Sequence, residues 1–207
     1  MQLLVLWGWF TMIDSKSKHI VDEGLSITIS RSPTDYTGKA IIGKIGKTLS
    51  DYSVQNKRMI NCLLESNLAT GELVTCEGEQ FIITVSTKKY IQGQEAFIVA
   101  YGLICNATLT VSRTTTTYDD DGNPTGESPS TIINALACRA DQINGKMREL
   151  DTGLLDTTVM KLTCPNDDGL LLNDKAEVVG RDYRVDDIDR FSVPGAMVVQ
   201  LSIWTAG

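Results

Sequence analysis

Between Ile20 and Ser30 the chain alternates, with Leu25, Ile27 and Ile29 apolar and Ser26, Thr28 and Ser30 polar. A period of two puts successive side chains on opposite faces of an extended strand. The signature returns after Gly71. Leu73–Cys76, Gln80–Ser86, Ala96–Tyr101 and Ile104–Ser112 read as strands, divided by turns at Glu77-Gly78-Glu79 and Gln92-Gly93-Gln94. The last third supplies Thr158–Thr163, Leu170–Leu172, Ala176–Val179, Asp182–Val185 and Ala196–Ile203. Between these groups the period changes: Leu136, Ala140, Ile143, Met147 and Leu150 recur at helical spacing. Ser128 fits an N-cap there, Pro129 a first helical position and Asp151-Thr152-Gly153 a stop. The pattern predicts a mainly β fold, a small β-barrel or sandwich with one long amphipathic helix and extended loops.

The segments divide as an N-terminal arm (1–19), a first part of the barrel (20–112), an exposed hairpin or loop (113–128), the helix (129–151) and closing strands (152–207). Gly38, Gly43 and Gly46 are expected to break up any long element between Thr37 and Arg58. Asn56–Ser66 fits a short helix or a strand, the strand being favoured. Asp121-Gly122-Asn123-Pro124 is a turn signal inside the hairpin segment. A loose echo links GELVTCEGEQFIITVSTKKYIQGQEAFIVAYGLI with NDKAEVVGRDYRVDDIDRFSVPGAMVVQLSI. Each reads as a strand, a Gly turn, an aromatic-bearing strand, a polar connection and a long apolar strand. The echo suggests a compact barrel or sandwich whose strands come from both sides of the helix.

Charge sharpens the picture. The net charge is −7, and residues 1–110 carry ten acidic and ten basic groups against sixteen and nine in 111–207. Wrapping nucleic acid by neutralising phosphates needs clustered Lys and Arg, which this balance disfavours. An acidic surface does suit a protein past which DNA must slide. The five cysteines are spread without a C-x-x-C pair, so buried reduced thiols and cytosolic assembly are expected. The opening MQLLVLWGWFT is too short to span a bilayer and has no basic flank or cleavage site of a signal peptide. Two readings stand: translation opening at Met12, which makes residues 1–11 non-native, or a segment whose Leu3, Leu4, Leu6, Trp7 and Trp9 pack on a neighbouring subunit. No membrane partner is expected.

Candidate chemistry is sparse. Gly38–Lys44 has the G-x-x-x-x-G-K spacing of a phosphate-binding loop, but Ile45 stands where Ser or Thr must hold Mg²⁺. Gly46-Lys47-Thr48 has the right ending and Ile41 in place of its first glycine. The sharper reading of this basic stretch is contact with DNA or an acidic partner through Lys39, Lys44, Lys47, Lys57 and Arg58; the plainer one is a solvated loop. The single histidine, His19, has no serine or cysteine motif beside it, so a surface or interface place is expected. Asp119-Asp120-Asp121, Asp167-Asp168 and Asp186-Asp187 with Asp189 lack calcium-loop spacing and read as solvated loop charge. Around them Arg184, Asp187, Asp189 and Arg190 alternate in sign and suggest salt bridges between subunits. No catalytic residues, metal ligands or cofactor site are expected, and the chain reads as a non-enzyme.

The stretch Leu172–Leu201, LNDKAEVVGRDYRVDDIDRFSVPGAMVVQL, resembles the closing part of tailed-bacteriophage neck proteins, the head-closure or head-to-tail connector group. There a pair like Asn173-Asp174 precedes a strand, a turn like Gly180 leads to an aromatic strand like Asp182–Val185, and a long apolar strand finishes the barrel. Gly71–Val111 carries a fainter version. The resemblance implies a homo-oligomeric ring of six or twelve subunits in the virion neck, assembled in the host cytoplasm. Its partners would be a portal or adaptor protein, a tail-terminator or tail tube protein, and genomic DNA in transient contact. Loops such as Thr37–Lys47 or Thr114–Ser128 would reach into the channel or across to adjacent rings. The chain departs from the pattern in its length, apolar N terminus and helical insert. Those departures leave a tail-terminator, adaptor or minor capsid role open, and, in another class, a β-barrel nucleic-acid-binding module.

Overall fold

The computed structural model describes residues 15–45, 56–91 and 93–205, so Met1–Thr11, Lys47 and the second glycine–lysine match lie outside the described residues. The chain divides into two units, Met1–Ile104 and Cys105–Gly207, and each holds a closed barrel of six antiparallel strands.

In the first unit a helix, α1 (15–23), precedes β1 (Leu25–Ser30), β2 (Tyr36–Lys44), β3 (Lys57–Cys62), β4 (Leu73–Cys76), β5 (Glu79–Ile91) and β6 (Gln94–Ile104). The strands run β1-β2-β3-β6-β5-β4 round the barrel, and β4 closes on β1 through Thr28↔Thr75, Ile29↔Val74 and Ser30↔Leu73. Alternation sends Ile27, Ile29, Ala40, Ile60, Cys62, Val74, Phe81, Ile83, Ile98 and Ala100 inward to one core. The second unit contains β7 (Ala107–Tyr118), β8 (Pro124–Gln142), α2 (Gly145–Leu150), β9 (Met160–Pro165), β10 (Lys175–Val178), β11 (Arg181–Asp189) and β12 (Ala196–Ile203). Their order is β7-β8-β9-β12-β11-β10, with Leu109, Val111, Leu162, Cys164, Val185, Met197 and Leu201 in the core.

The two orders are the same circuit, and the registers agree in detail. Ser30↔Leu73 corresponds to Ser112↔Lys175, and Cys62↔Ile98 to Cys164↔Met197. The bulge between Ile83 and Val85 corresponds to the one between Val185 and Asp187. The β4–β5 turn (Glu77 φ 49°, Gly78 φ 83°) recurs at β10–β11 (Val179 φ 51°, Gly180 φ 69°). The echo read in the sequence is therefore a duplicated barrel. It does not build one barrel from both ends of the chain, and the boundary falls at 104/105 rather than around a central helix.

The long helix over 129–151 is overturned. Residues 124–142 form β8, only Gly145–Leu150 is helical, and no described helix exceeds nine residues. The misleading spacing has a physical origin. Bulges opposite Leu109–Ser112, with Ala135 at φ 52°, insert extra residues into β8. Each insertion flips the facing of later side chains. Ile133 and Cys138 are thereby both buried at a spacing that a regular strand forbids. The helix at 15–23 takes the place of the first four residues of the strand expected over Ile20–Ser30. Gly38 and Gly43 both lie inside β2 instead of breaking it; at Gly38 the missing Cβ makes room for the Tyr36 ring, which it would meet at 2.6 Å.

Candidate assembly surfaces

Each barrel is pinned by the same lock. Arg113, at the end of the barrel portion of β7, makes a two-pronged ion pair with Asp174, Nε–Oδ1 at 2.7 Å and Nη2–Oδ2 at 2.8 Å. The same Nη2 donates to Gly169 O, and Asp174 Oδ2 accepts from Leu171 N at 2.9 Å. In the first barrel Arg31 pairs through Nε and Nη2 with Glu72, donates to Ser66 O and Asn67 O, and Glu72 accepts from Ala69 N. Such forked pairs fix geometry as well as supplying attraction. They tie the loop before β4 or β10 to the first strand of each barrel, which is a structural task.

The barrels differ in what they project. Beyond Ser112↔Lys175 β7 has only β8 as neighbour, and before Arg139 β8 has only β7. The result is a two-stranded arm, exposed at nearly every position from Thr114 to Ser130. The segment 113–128, read from the sequence as an exposed hairpin or loop, lies within this arm and its root. Asp119, Asp120, Asp121 and Glu127 lie on it, with no Lys or Arg between Thr114 and Cys138. At the tip Asp119 Oδ1 accepts from Asp121 N (3.1 Å) and Asn123 N (2.7 Å), while Asp119 O accepts from Gly122 N. The bond from Asn123 N leads the interactions that lower the Asp119 pKa. Asp119 thus builds the turn; Asp120 and Asp121 are exposed beside Tyr118, itself 65 % exposed.

The first barrel instead carries α1 on its outer wall. Ala40, Ile60 and Ile98 point inward, so their strand neighbours Ile41, Asn61 and Phe97 point out. Ile20, buried to 3 %, anchors the helix against this wall. Gly24 ends the helix, its N–H bonding Ile20 O at 2.9 Å, with Lys39 Nζ on Gly24 O at 2.9 Å. Between helix and wall is a groove of about 250 Å³ lined by Lys16, His19, Ile20, Ile41, Asn61 and Phe97. Lys16 Nζ stands 5.6 Å from the centre of the Phe97 ring, and His19 Nδ1 is 3.6 Å from Glu23.

Among the described residues the basic candidates Lys39, Lys44, Lys57 and Arg58 do not form one patch. Lys44 and Arg58 are register partners on the inward-facing parity at one mouth of the first barrel. Lys39 and Lys57 have outward parity but are separated by six positions along the sheet, roughly 20 Å. The first glycine–lysine match lies in β2, with no phosphate-cradling loop. Arg184 pairs with Asp186 at 2.7 Å, Asp187 accepts from Gln200 Nε2 at 3.1 Å, and Asp189 accepts from Phe191 N and Ser192 N. Arg190 Nη2 bonds Asp167 O and Leu170 O. All four are engaged within their own barrel.

Among the described residues no group of three or more His, Cys, Asp or Glu is arranged to hold a metal, and no helix is long and apolar enough to cross a bilayer. None of the five cysteines is in a disulfide. Burial pushes the Cys138 thiol up to about 12 and raises Cys164 further, which favours the protonated thiol at both. Sequence reasoning missed the α1 groove because it took Ile20 onward as strand. The Lys16–His19–Ile20 spacing, three and four apart, was the available signal.

No protein-family model matches the chain, and no curated protein matches it. Among solved structures, a K. pneumonia MrkH–c-di-GMP complex is 8 % identical over 95 % of this chain and 87 % of that one, with a TM-score of 0.15. A likeness of that size carries no argument about fold or function.

Proposed function

We propose that this chain is a non-enzymatic structural subunit that forms a ring at the head–tail junction of a tailed-phage virion. It would join a portal or adaptor protein to a tail-terminator or tail tube protein and help retain DNA. The observation that carries this reading is the β7–β8 arm. A two-stranded ribbon exposed on both faces is marginal in water by itself and gains stability by contact. Among the described residues the closed barrel of the second unit leaves no other long unpaired edge, so the arm is the natural gripping element. The stretch that resembles neck proteins corresponds to β10–β12, and its fainter version to β4–β6 and the start of β7, so the likeness falls on equivalent halves of the two barrels. A ring requires each subunit to offer two different, complementary surfaces. A helix on one barrel and an arm on the other meet that requirement.

Imaging the purified full chain by electron microscopy, with native mass spectrometry alone and mixed with portal protein, tests the reading. Closed rings of six or twelve that bind the portal are expected. A monomer at all concentrations that binds no head or tail component would refute it.

A further inference from the structure

Resting on the ring reading, we infer that the tip of the β7–β8 arm of one subunit seats in the α1 groove of a second copy, with Tyr118 entering the groove and Asp120 and Asp121 meeting Lys16 and His19. The groove pairs an apolar floor of Ile20, Ile41 and Phe97 with the Lys16 ammonium and the His19 imidazole of α1 at its rim. The tip offers the complement, an aromatic ring 65 % exposed with carboxylates one, two and three residues on. A tyrosine carries roughly 150–250 Å² of surface to bury, together with a hydroxyl that Asn61 can bond. Opposite charge fixes orientation and speeds encounter.

The duplication strengthens the pairing. The first barrel joins β1 to β2 by the short link 31–35, where the second extends β7 and β8 into the arm. The second barrel enters β7 straight from Cys105-Asn106, where the first carries α1. Groove and arm are thus each unique to one repeat. Arm-to-groove contact is heterologous: every subunit gives one arm and receives another, the condition for a closed ring.

The test uses two full-length variants, each disabling one side. The arm variant is Tyr118→Ser/Asp120→Lys/Asp121→Lys, leaving the turn-building Asp119 in place. The groove variant is Lys16→Glu/His19→Glu, changing exposed side chains only. By sedimentation velocity each variant alone is expected to be monomeric, with at least a tenfold weaker self-association. An equimolar mixture, retaining one good arm and one good groove, should stop at a dimer of twice the 22.7 kDa chain mass. Tyr118→Phe should still assemble, and wild-type association should weaken as salt rises. If either disabled variant forms rings as the wild type does, or the mixture stays monomeric, the arm-to-groove contact is wrong while the ring reading survives. A wild type that never associates sinks both.

Discussion

Ile60 and Leu162 occupy equivalent places in the two barrels, Ile60 opposite Ala100 and Leu162 opposite Val199, and both are fully buried. They belong to separate cores. Leu162→Ala removes three carbons, about 2.4 kcal/mol at ~0.8 kcal/mol per buried methylene, before the cavity is counted. Cavity terms bring such truncations to about 2–5 kcal/mol. Taking about 3 kcal/mol, and 4–8 °C per kcal/mol for a unit of this size, the hosting barrel should melt roughly 12–24 °C lower. Hydrogen exchange read by mass spectrometry locates the loss. In Leu162→Ala, peptides from β7 to β12 should lose protection while those from β1 to β6 keep theirs; Ile60→Ala should give the reverse. Equal loss across both barrels from either substitution would refute the assignment of one self-sufficient core to each repeat.

Gly78 and Gly180 sit at φ 83° and 69° in equivalent turns with open space beyond their Cα, so Gly→Ala at either should cost about 1 kcal/mol from backbone strain alone, measured by denaturant midpoint. Asp189, held low first by the Ser192 hydroxyl and then by the Phe191 and Ser192 N–H groups, and Asp151, held low first by Lys161, have depressed folded pKa values. Their contribution to stability is present above the ordinary carboxylate value of about 3.9 and is lost as pH falls through the lower folded values; Asp189→Asn should flatten this acid limb, and an unchanged limb would refute it. With a thiol reagent at pH 8 the half-buried Cys105 should react before Cys62, Cys138 and Cys164, whose buried thiols stay protonated; early labelling of Cys164 would contradict its place in the core.

Strands with strict alternation were legible. LSITIS holds Ile27 and Ile29 inward, and in MVVQLSI the alternate residues Met197, Val199 and Leu201 enter the core. Glycine turns were legible too, because Gly78 and Gly180 need positive φ where few other residues are tolerated. What failed was periodicity in bulged structure. In β8 the inserted residues shift facing, so Leu136 and Ala140 fell on a helical template although the local TII run is β-branched and favours a strand. Closure was illegible for another reason. Whether a set of strands makes one barrel or two depends on which pairs with which, and pairing leaves no mark on hydropathy. The lock residues were present as Arg31, Glu72, Arg113 and Asp174, but charges 41 and 61 positions apart have no local signature. The acidic runs were read as solvated charge; in the structure Asp119 and Asp189 instead organise their own turns.

Duplication also sets how function is distributed. Two copies that keep the same circuit, bulge, turn and Arg–acid lock share the constraints of folding, so those features cannot distinguish what each barrel does. Function must be sought in the departures: α1 and the long β5–β6 hairpin on the first barrel, the β7–β8 arm and the α2 connection on the second. The charge follows the same division, since the described excess of acid lies in the second barrel, whose arm alone has four carboxylates and no cation. A barrel that met only solvent would gain nothing from a ribbon with two exposed faces and an exposed tyrosine at its end. Shortening β7–β8 to a tight turn between Arg113 and Ser130 should therefore leave the lock and the core intact while abolishing self-association. A shortened chain that assembles as before would place the contact elsewhere, with the β5–β6 hairpin of the first barrel the next element to remove.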